Sequence, residues 1–354
     1  MRIARITLGA VAPADLAGAV LTRDLEVGGE RWAKGRRLST RDLAHLGEAV
    51  PQVERRAITV LVPEAGDVHE DDAARRLAAA VAGAGLVAGK LSQSRLDLRA
   101  TAAGVVHVRP RHLARLNAID PIEVFTVLDG RVVEPGALVA SVKVAPHLVP
   151  EAVLLQAEAV AARSRRRGGV VSVAPFRARR VAGIVKESIR GIARDRFEAS
   201  LRAKVEGLGS RLVGIDYVED ATQPVTEALR VRSVGRGRAR ADLVLTAGSS
   251  STDPEDPFFL ALEALGGGIV RHGVPAHPGS MLWLGRVGNV AVIGLPSCGA
   301  YSKATAADLL LPRLLSGEPP TIATVARLGH GGILTRDQRY RFPAYARDLE
   351  APEG

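Results

Sequence analysis

The residues with most chemical potential lie between 246 and 299. The run Thr246-Ala247-Gly248-Ser249-Ser250-Ser251-Thr252-Asp253-Pro254-Glu255-Asp256-Pro257 closes an apolar stretch with one glycine and three serines. Small residues let backbone N–H groups close on an anion. Serine hydroxyls add donors, and a following helix N-terminus adds a favourable field. Such a turn suits a phosphate, although many Gly/Ser turns bind nothing. Asp253, Glu255 and Asp256 crowd the same loop, and carboxylates so placed can hold Mg²⁺ with water and phosphate completing the shell. The alternative is solvated turn acids, with Asp256 as an N-cap and Pro257 as the first helical residue.

Two more loops share the region: His277-Pro278-Gly279-Ser280, and Gly294-Leu295-Pro296-Ser297-Cys298-Gly299 directly after an apolar run. A helix N-terminus near Cys298 would activate its thiol, and a small half-buried filler is the competing role. His272, His277 and His330 could converge near a ligand, though a lone loop histidine is commonly a surface donor. Upstream, Gly66-Asp67-Val68-His69-Glu70-Asp71-Asp72 looks metal-like, but Asp67 as N-cap with Glu70 three residues on is also a capping box. His69 has no second histidine at helical spacing.

The elements that must position these loops follow from periodicity. Residues 1 to about 50 alternate short apolar runs with glycine turns and read as a small β-rich module, 1–55. Residues 56–165 read as an α+β module: a strand at Ala57–Val62, a helix at Asp71–Val87, strands near Val105–Val108 and Leu138–Val144, and a helix at Leu148–Ala162. Arg163-Ser164-Arg165-Arg166-Arg167-Gly168-Gly169 is the linker candidate, because like charges repel and glycines cost entropy to order. After it, strands at Arg180–Val185, Leu212–Tyr217, Ala241–Thr246 and Val290–Leu295 alternate with helices at Asp195–Leu208, Thr222–Val231, Pro257–Leu265 and Ser302–Leu315. Phe197, Leu201 and Val205 stack at four-residue spacing on one helix face. The alternation predicts an α/β domain over 170–317, three layers α/β/α around a mainly parallel sheet. Ligands of such sheets bind at the carboxyl ends of strands, so the loops after Val185, Thr246 and Leu295 matter most. Residues 318–354 form a C-terminal extension whose Arg-rich tail is expected to be loosely held.

Composition sets outer bounds. The 354 residues carry Lys+Arg 48 against Asp+Glu 38, a net charge of +10 that favours anionic partners. Aromatics are 3%, so the cores must be Ala, Val and Leu. Nucleic acid is not expected, because zinc spacing, an aromatic RNA-binding motif and a helix-turn-helix are all missing. Cys298 is the sole cysteine, so no internal disulfide forms. Without a signal peptide or an apolar run of about 18 residues, a cytoplasmic protein off the membrane is expected.

The order and spacing of the three loops carry more than any one of them. The run "ADLVLTAGSSSTDPEDP…LGGGIVRHGVPAHPGS…VAVIGLPSCG" resembles the molybdopterin-binding domain family, which includes the cofactor-biosynthesis adenylyltransferase and molybdenumtransferase. The family pattern is a strand, T-x-G-G-x-S-x-G-x-x-D, a P-G-K step, then G-L-P-G-N-P. The resemblance implies that Gly248, Ser249, Ser250 and Ser251 cradle the terminal phosphate of molybdopterin. It implies that Pro278, Gly279, Ser280, Gly294, Leu295, Pro296 and Ser297 line the same ligand. Asp253 and Asp256 would then be catalytic, with Mg²⁺ on Asp253, Glu255 and Asp256. The sequence departs from the pattern at Ser249, Asp253, Ser280 and Ser297-Cys298-Gly299, and Val185-Lys186-Glu187-Ser188 replaces T-G-[DS]-E. Lys186, Arg190 or Lys303 could replace the missing lysine.

A closer resemblance covers most of the chain. "GAVLTRDLEVGGERWAKGRRLSTRDLAHL", "EAGDVHEDDAARRLAAAVAG", "LARLNAIDPIEV" and "LVASVKVAPHLVPEAVL" are similar to the amino-terminal half of bacterial molybdopterin-binding proteins fused to a cofactor nucleotidyltransferase. Arg95, Asn117 and Asp120 match motif positions there, with turn and core roles equally open. The resemblance implies a homo-oligomeric protein that binds molybdopterin or molybdenum cofactor. It would build, hold or deliver that cofactor, acting alone, with a separate nucleotidyltransferase or with a molybdoenzyme. Two readings compete with it: a nucleotide-processing hydrolase on a related domain, and an anion- or nucleic-acid-binding module.

Overall fold

The structure is a computed structural model that describes residues 1–48, 57–92, 94–186, 191–296 and 304–348. Two compact units divide the chain. The first comprises 1–101, 107–129 and 135–173; the second comprises 102–106, 130–134 and 174–354.

In the first unit, the Ala57–Val62 strand pairs antiparallel with Arg2–Thr7 and Val20–Leu21. This sheet and the Thr40–Glu48 helix close around Trp32, Leu43 and Leu46. A second, four-stranded antiparallel sheet contains Leu86–Ser92, Arg95–Ala100, Ile122–Thr126 and Leu138–Val144. The Glu70–Val81 helix packs on it through Ala73, Leu77 and Val81. That helix is shorter than its periodicity predicts. It ends at the extended residue Ala82, and Leu86–Ser92 is a strand.

The predicted capping box is not formed. Asp67 is held extended where Asp67–His69 pairs with Leu148–Pro150, and its carboxylate accepts from Glu64 N and the Met1 ammonium. The N-cap is His69, whose Nδ1 accepts from Asp71 N at 3.1 Å. The linker candidate is also more ordered than expected. Arg165–Arg167 is a short 3-10 helix, Ser164 is fully buried, and Gly169 packs on the backbone of Gly83.

The second unit carries the loops of interest. Its six-stranded sheet runs Arg211–Tyr217, Arg180–Val185, Leu243–Ala247, Val290–Gly294, Trp283–Val287, Gly268–His272. The first four strands are parallel, and Trp283–Val287 runs antiparallel to both of its neighbours. Alternation of side chains along a strand sends successive residues to opposite faces. Val181 and Val185 accordingly pack under Phe197, Leu201 and Val205 of the Ile192–Glu206 helix. Ala182 and Ile184 meet Val225 and Leu229 of Thr222–Ser233 and Phe258 and Leu262 of Pro257–Ala264. Helices on both faces make this a three-layer α/β/α domain.

The C-terminal segment is not loosely held. Val325, Leu328, Phe342, Tyr345 and Ala346 are buried in the same core as Phe197 and Leu201. Tyr345 also donates to Asp308 Oδ1 at 3.1 Å, and that oxygen accepts from the buried Lys204 Nζ at 2.6 Å. A tail with many arginines is thus pinned by its few aromatics.

Candidate functional site

Three parallel strands end side by side in the loops the sequence singles out. Arg180–Val185 is flanked by Leu243–Ala247, which pairs in turn with Val290–Gly294. Lys186 N donates to Ala247 O and Leu295 N to Thr246 O, which holds the first steps beyond the strands in register. Gly248 turns the chain at φ +88°, a conformation that favours glycine, and residues 248–252 follow as an exposed or half-buried turn.

Asp256 organises this turn from beneath. Its carboxylate is fully buried. Oδ1 accepts from Phe258 N at 2.9 Å as the N-cap of Pro257–Ala264, and Oδ2 accepts from Ser250 N at 2.6 Å. Lys186 Nζ lies 3.0 Å from the same Oδ2 and 2.8 Å from Asp220 Oδ1. Burial pulls the Lys186 ammonium down, but hydrogen bonds and charge from Asp220 and Asp256 outweigh this and hold it above the usual lysine range. Lys186 is therefore a fixed cation at the base of the loop. Asp220 escaped the sequence reading because it sits in a polar turn before a helix, where an acid has no distinguishing pattern.

Above Asp256 the loop presents donors. Among the described residues nothing accepts from the backbone N–H groups of Gly248, Ser249, Ser251 or Thr252. Ser249 Oγ accepts from Trp283 Nε1 at 2.8 Å, and Ser250 Oγ lies 3.5 Å from Thr252 Oγ1. Unpaired N–H groups and hydroxyls in a turn next to a helix N-terminus fit an oxyanion such as a phosphate.

The three acids do not fit Mg²⁺. Both oxygens of Asp256 are taken by a lysine and two N–H groups. Asp253 is exposed and caps Glu255 N at 2.9 Å, and Glu255 is exposed beside it. Among the described residues no group of three or more His, Cys, Asp or Glu is arranged to hold a metal.

The second and third motifs owe their glycines to packing. A Cβ on Gly294 would lie 1.9 Å from Trp283 Nε1, and one on Gly279 would lie 2.8 Å from Ala306 N. Pro278 O accepts from that same Ala306 N, at the start of the Ala306–Leu315 helix. Ser280 O accepts from Val274 N, Leu295 is a core residue and Pro296 is half-buried. Gly294 and Trp283 thus adjoin the Ser249 turn, while Pro278 and Gly279 brace the Ala306–Leu315 helix. Ser297, Cys298, Glu187, Ser188, Arg190 and Lys303 lie outside the described residues.

The remaining candidates have structural surroundings. The His272 ring meets Phe259 edge-on at 5.2 Å, and the His277 backbone bonds to Gly332 and Leu334. In the first unit, Asn117 bonds both ways to the Val124 backbone, and Arg95 pairs with Asp97. Asp120 is exposed before Pro121.

A mainly parallel sheet covered by helices on both faces defines an α/β domain. Residues 181–316, within the second unit, match the family described as "Probable molybdopterin binding domain". Among solved structures, the chain is similar to the molybdopterin biosynthesis MoeA protein from Pyrococcus horikosii, at 16% identity over 75% of this chain and 76% of that one, with a TM-score of 0.29. A molybdenum cofactor biosynthesis protein B matches at 16% identity over 44% of this chain and 98% of that one, with a TM-score of 0.28. No curated protein matches the chain. The likeness to that family therefore covers residues 181–316. Among the described residues no helix is long and apolar enough to cross a membrane.

Proposed function

We propose that this chain binds molybdopterin or molybdenum cofactor through the phosphate of the pterin, and acts in the biosynthesis or delivery of that cofactor. The observation that carries the reading is the turn at 248–252. It offers unpaired backbone N–H groups and serine hydroxyls at the carboxyl edge of the sheet, over the buried Lys186–Asp256 pair. Gly248, Ser249, Ser250 and Ser251 hold the phosphate in this reading. Gly294 and Pro296, on the neighbouring strand end, flank the pterin side.

A holding or delivery role is favoured over catalysis by the state of Asp256. Its carboxylate is fully buried and engaged by Lys186, Ser250 N and Phe258 N, an arrangement that fits a structural anchor better than a base or a metal ligand. Recipients of the cofactor would be a separate nucleotidyltransferase or a molybdoenzyme.

The test is fluorescence and calorimetric titration of the purified chain with molybdopterin, wild type against Ser251→Asp. At an effective dielectric of about 20, like charges about 4 Å apart repel by about 4 kcal/mol, roughly a thousandfold in affinity. Equal binding by both proteins would place the site elsewhere. Turnover of molybdopterin with molybdate or a nucleoside triphosphate, abolished by Asp256→Asn, would overturn the holding role.

A further inference from the structure

The opposite edge of the same sheet carries a second, unrelated concentration of charge. Where Arg180–Val185, Arg211–Tyr217 and Leu243–Ala247 begin, the chain places Arg179, Arg180, Arg211, Arg236, Arg238 and Arg240. Hydrogen bonds tie five of them to this end of the sheet, and Arg236 precedes Arg238 in the same loop. Arg180 Nε donates to Arg240 O at 2.9 Å, a second Arg180 nitrogen donates to Arg238 O, and Arg211 N donates to Arg179 O at 2.8 Å. Arg211, Arg236, Arg238 and Arg240 are exposed, and Arg179 and Arg180 are half-buried.

On the neighbouring helices Arg194, Arg202, Arg230 and Arg232 each bond to a carboxylate. Among the described residues none of the six edge arginines has a carboxylate partner. The acid at this edge, Asp242, accepts from the Arg180 backbone N–H. The ligand proposed for the 248–252 turn does not account for the charge either. A strand of 6 residues separates the two edges, about 20 Å at about 3.3 Å per residue.

We infer that this edge is a docking surface for an acidic segment of a partner protein. Guanidinium groups accept carboxylates as rigid bidentate forks, and arginine is enriched in protein interfaces. The loop that carries Arg236, Arg238 and Arg240 is pinned by Arg180, so little order remains to be gained on binding. Val234, 58% exposed at the start of that loop, supplies an apolar contact that a protein uses and a phosphate backbone does not. The inference does not depend on what the 248–252 turn binds.

Fluorescence anisotropy of a labelled oligo-glutamate peptide against the full chain tests it, at low and raised salt. The wild type should bind, with affinity falling as salt screens the charges. R236E/R238E/R240E should weaken binding by about tenfold or more, as loss of complementary charge predicts. R163E/R165E/R166E makes the same change of net charge on the first unit and should leave binding within about twofold. Circular dichroism confirms folding of both variants, and the single variant R211E repeats the test without touching the loop. Equal losses in the two triple variants would reduce the effect to bulk charge and overturn the proposal. A short DNA duplex that binds this edge more tightly than the peptide would overturn it too.

Discussion

Lys186 Nζ and Asp256 Oδ2 stand 3.0 Å apart, the lysine side chain 5% exposed and the aspartate not at all. The carboxylate simultaneously caps a helix and fixes Ser250, so one ion pair joins a strand end, a helix start and the 248–252 turn. Breaking a buried pair by removing one partner strands the other charge and costs about 3–5 kcal/mol. Lys186→Met should therefore destabilise the second unit by that order in urea unfolding. The double variant Lys186→Met/Asp256→Asn should recover part of the loss, because asparagine caps nearly as well as aspartate and carries no charge. A single variant as stable as the wild type would show that the pair is not formed. The pH dependence has a definite sign. A lysine held above its ordinary value of 10.5 contributes stability that is complete below that pH and is lost as pH rises through its folded-state value.

A second prediction concerns Gly294. The indole of Trp283 occupies the space a side chain would need, and Trp283 Nε1 holds Ser249 Oγ. Gly294→Ala must displace the ring and with it the turn. The expected cost is about 1–3 kcal/mol, typical of overpacking a dense core. Tryptophan fluorescence should shift, and in the proposed function pterin affinity should fall with it. An alanine variant with unchanged emission and stability would contradict the packing.

These relationships explain what the sequence disclosed and what it hid. Phe197, Leu201 and Val205 announced a helix face because local spacing alone decides which residues share a face. The Gly/Ser turn ahead of a helix was legible for the same reason, since its small residues, serines and the helix start are contiguous. Lys186 and Asp256 meet only through the parallel pairing of strands far apart in sequence, so the metal reading of Asp256 could not be excluded in advance. Asp67 is the stronger capping residue by type, yet strand pairing with Leu148–Pro150 holds it extended and leaves the cap to His69. In the C-terminal segment, arginines suggested a solvated tail, while Phe342 and Tyr345 decided its fate. Their isolation among polar residues gives no periodicity to detect.

That segment leads to a third prediction. Truncation after Gly317 removes Val325, Leu328, Phe342 and Tyr345 from the core of the second unit. Burial of each large apolar side chain contributes about 1.5–3 kcal/mol as an upper estimate. Four such losses rival the about 5–15 kcal/mol that holds a typical domain folded. The truncated chain should expose apolar surface, bind a hydrophobic dye and lose its cooperative melting transition. A sharp transition at the wild-type temperature would mean that the segment is dispensable.

The fourth prediction uses the tyrosines. The sequence has 4, and two sit in environments that oppose ionisation. Burial, followed by the nearby Glu198 carboxylate at 3.0 Å, pushes the Tyr217 hydroxyl up to about 12, against the opposing pull of Arg194. Burial and Asp308 push Tyr345 well above 10.0. The tyrosinate absorbance of these two in the native protein should therefore appear above pH 10 rather than at it. Tyr217→Phe should remove part of that late rise. For stability the sign follows from linkage: a tyrosine whose folded-state value is raised stabilises fully below about pH 10 and loses that contribution as pH climbs toward 12. Unfolding in urea should thus become easier between these two values in the wild type and less steeply so in Tyr217→Phe. A native titration in which all tyrosines ionise together near pH 10 would mean that neither hydroxyl is held as the structure places it.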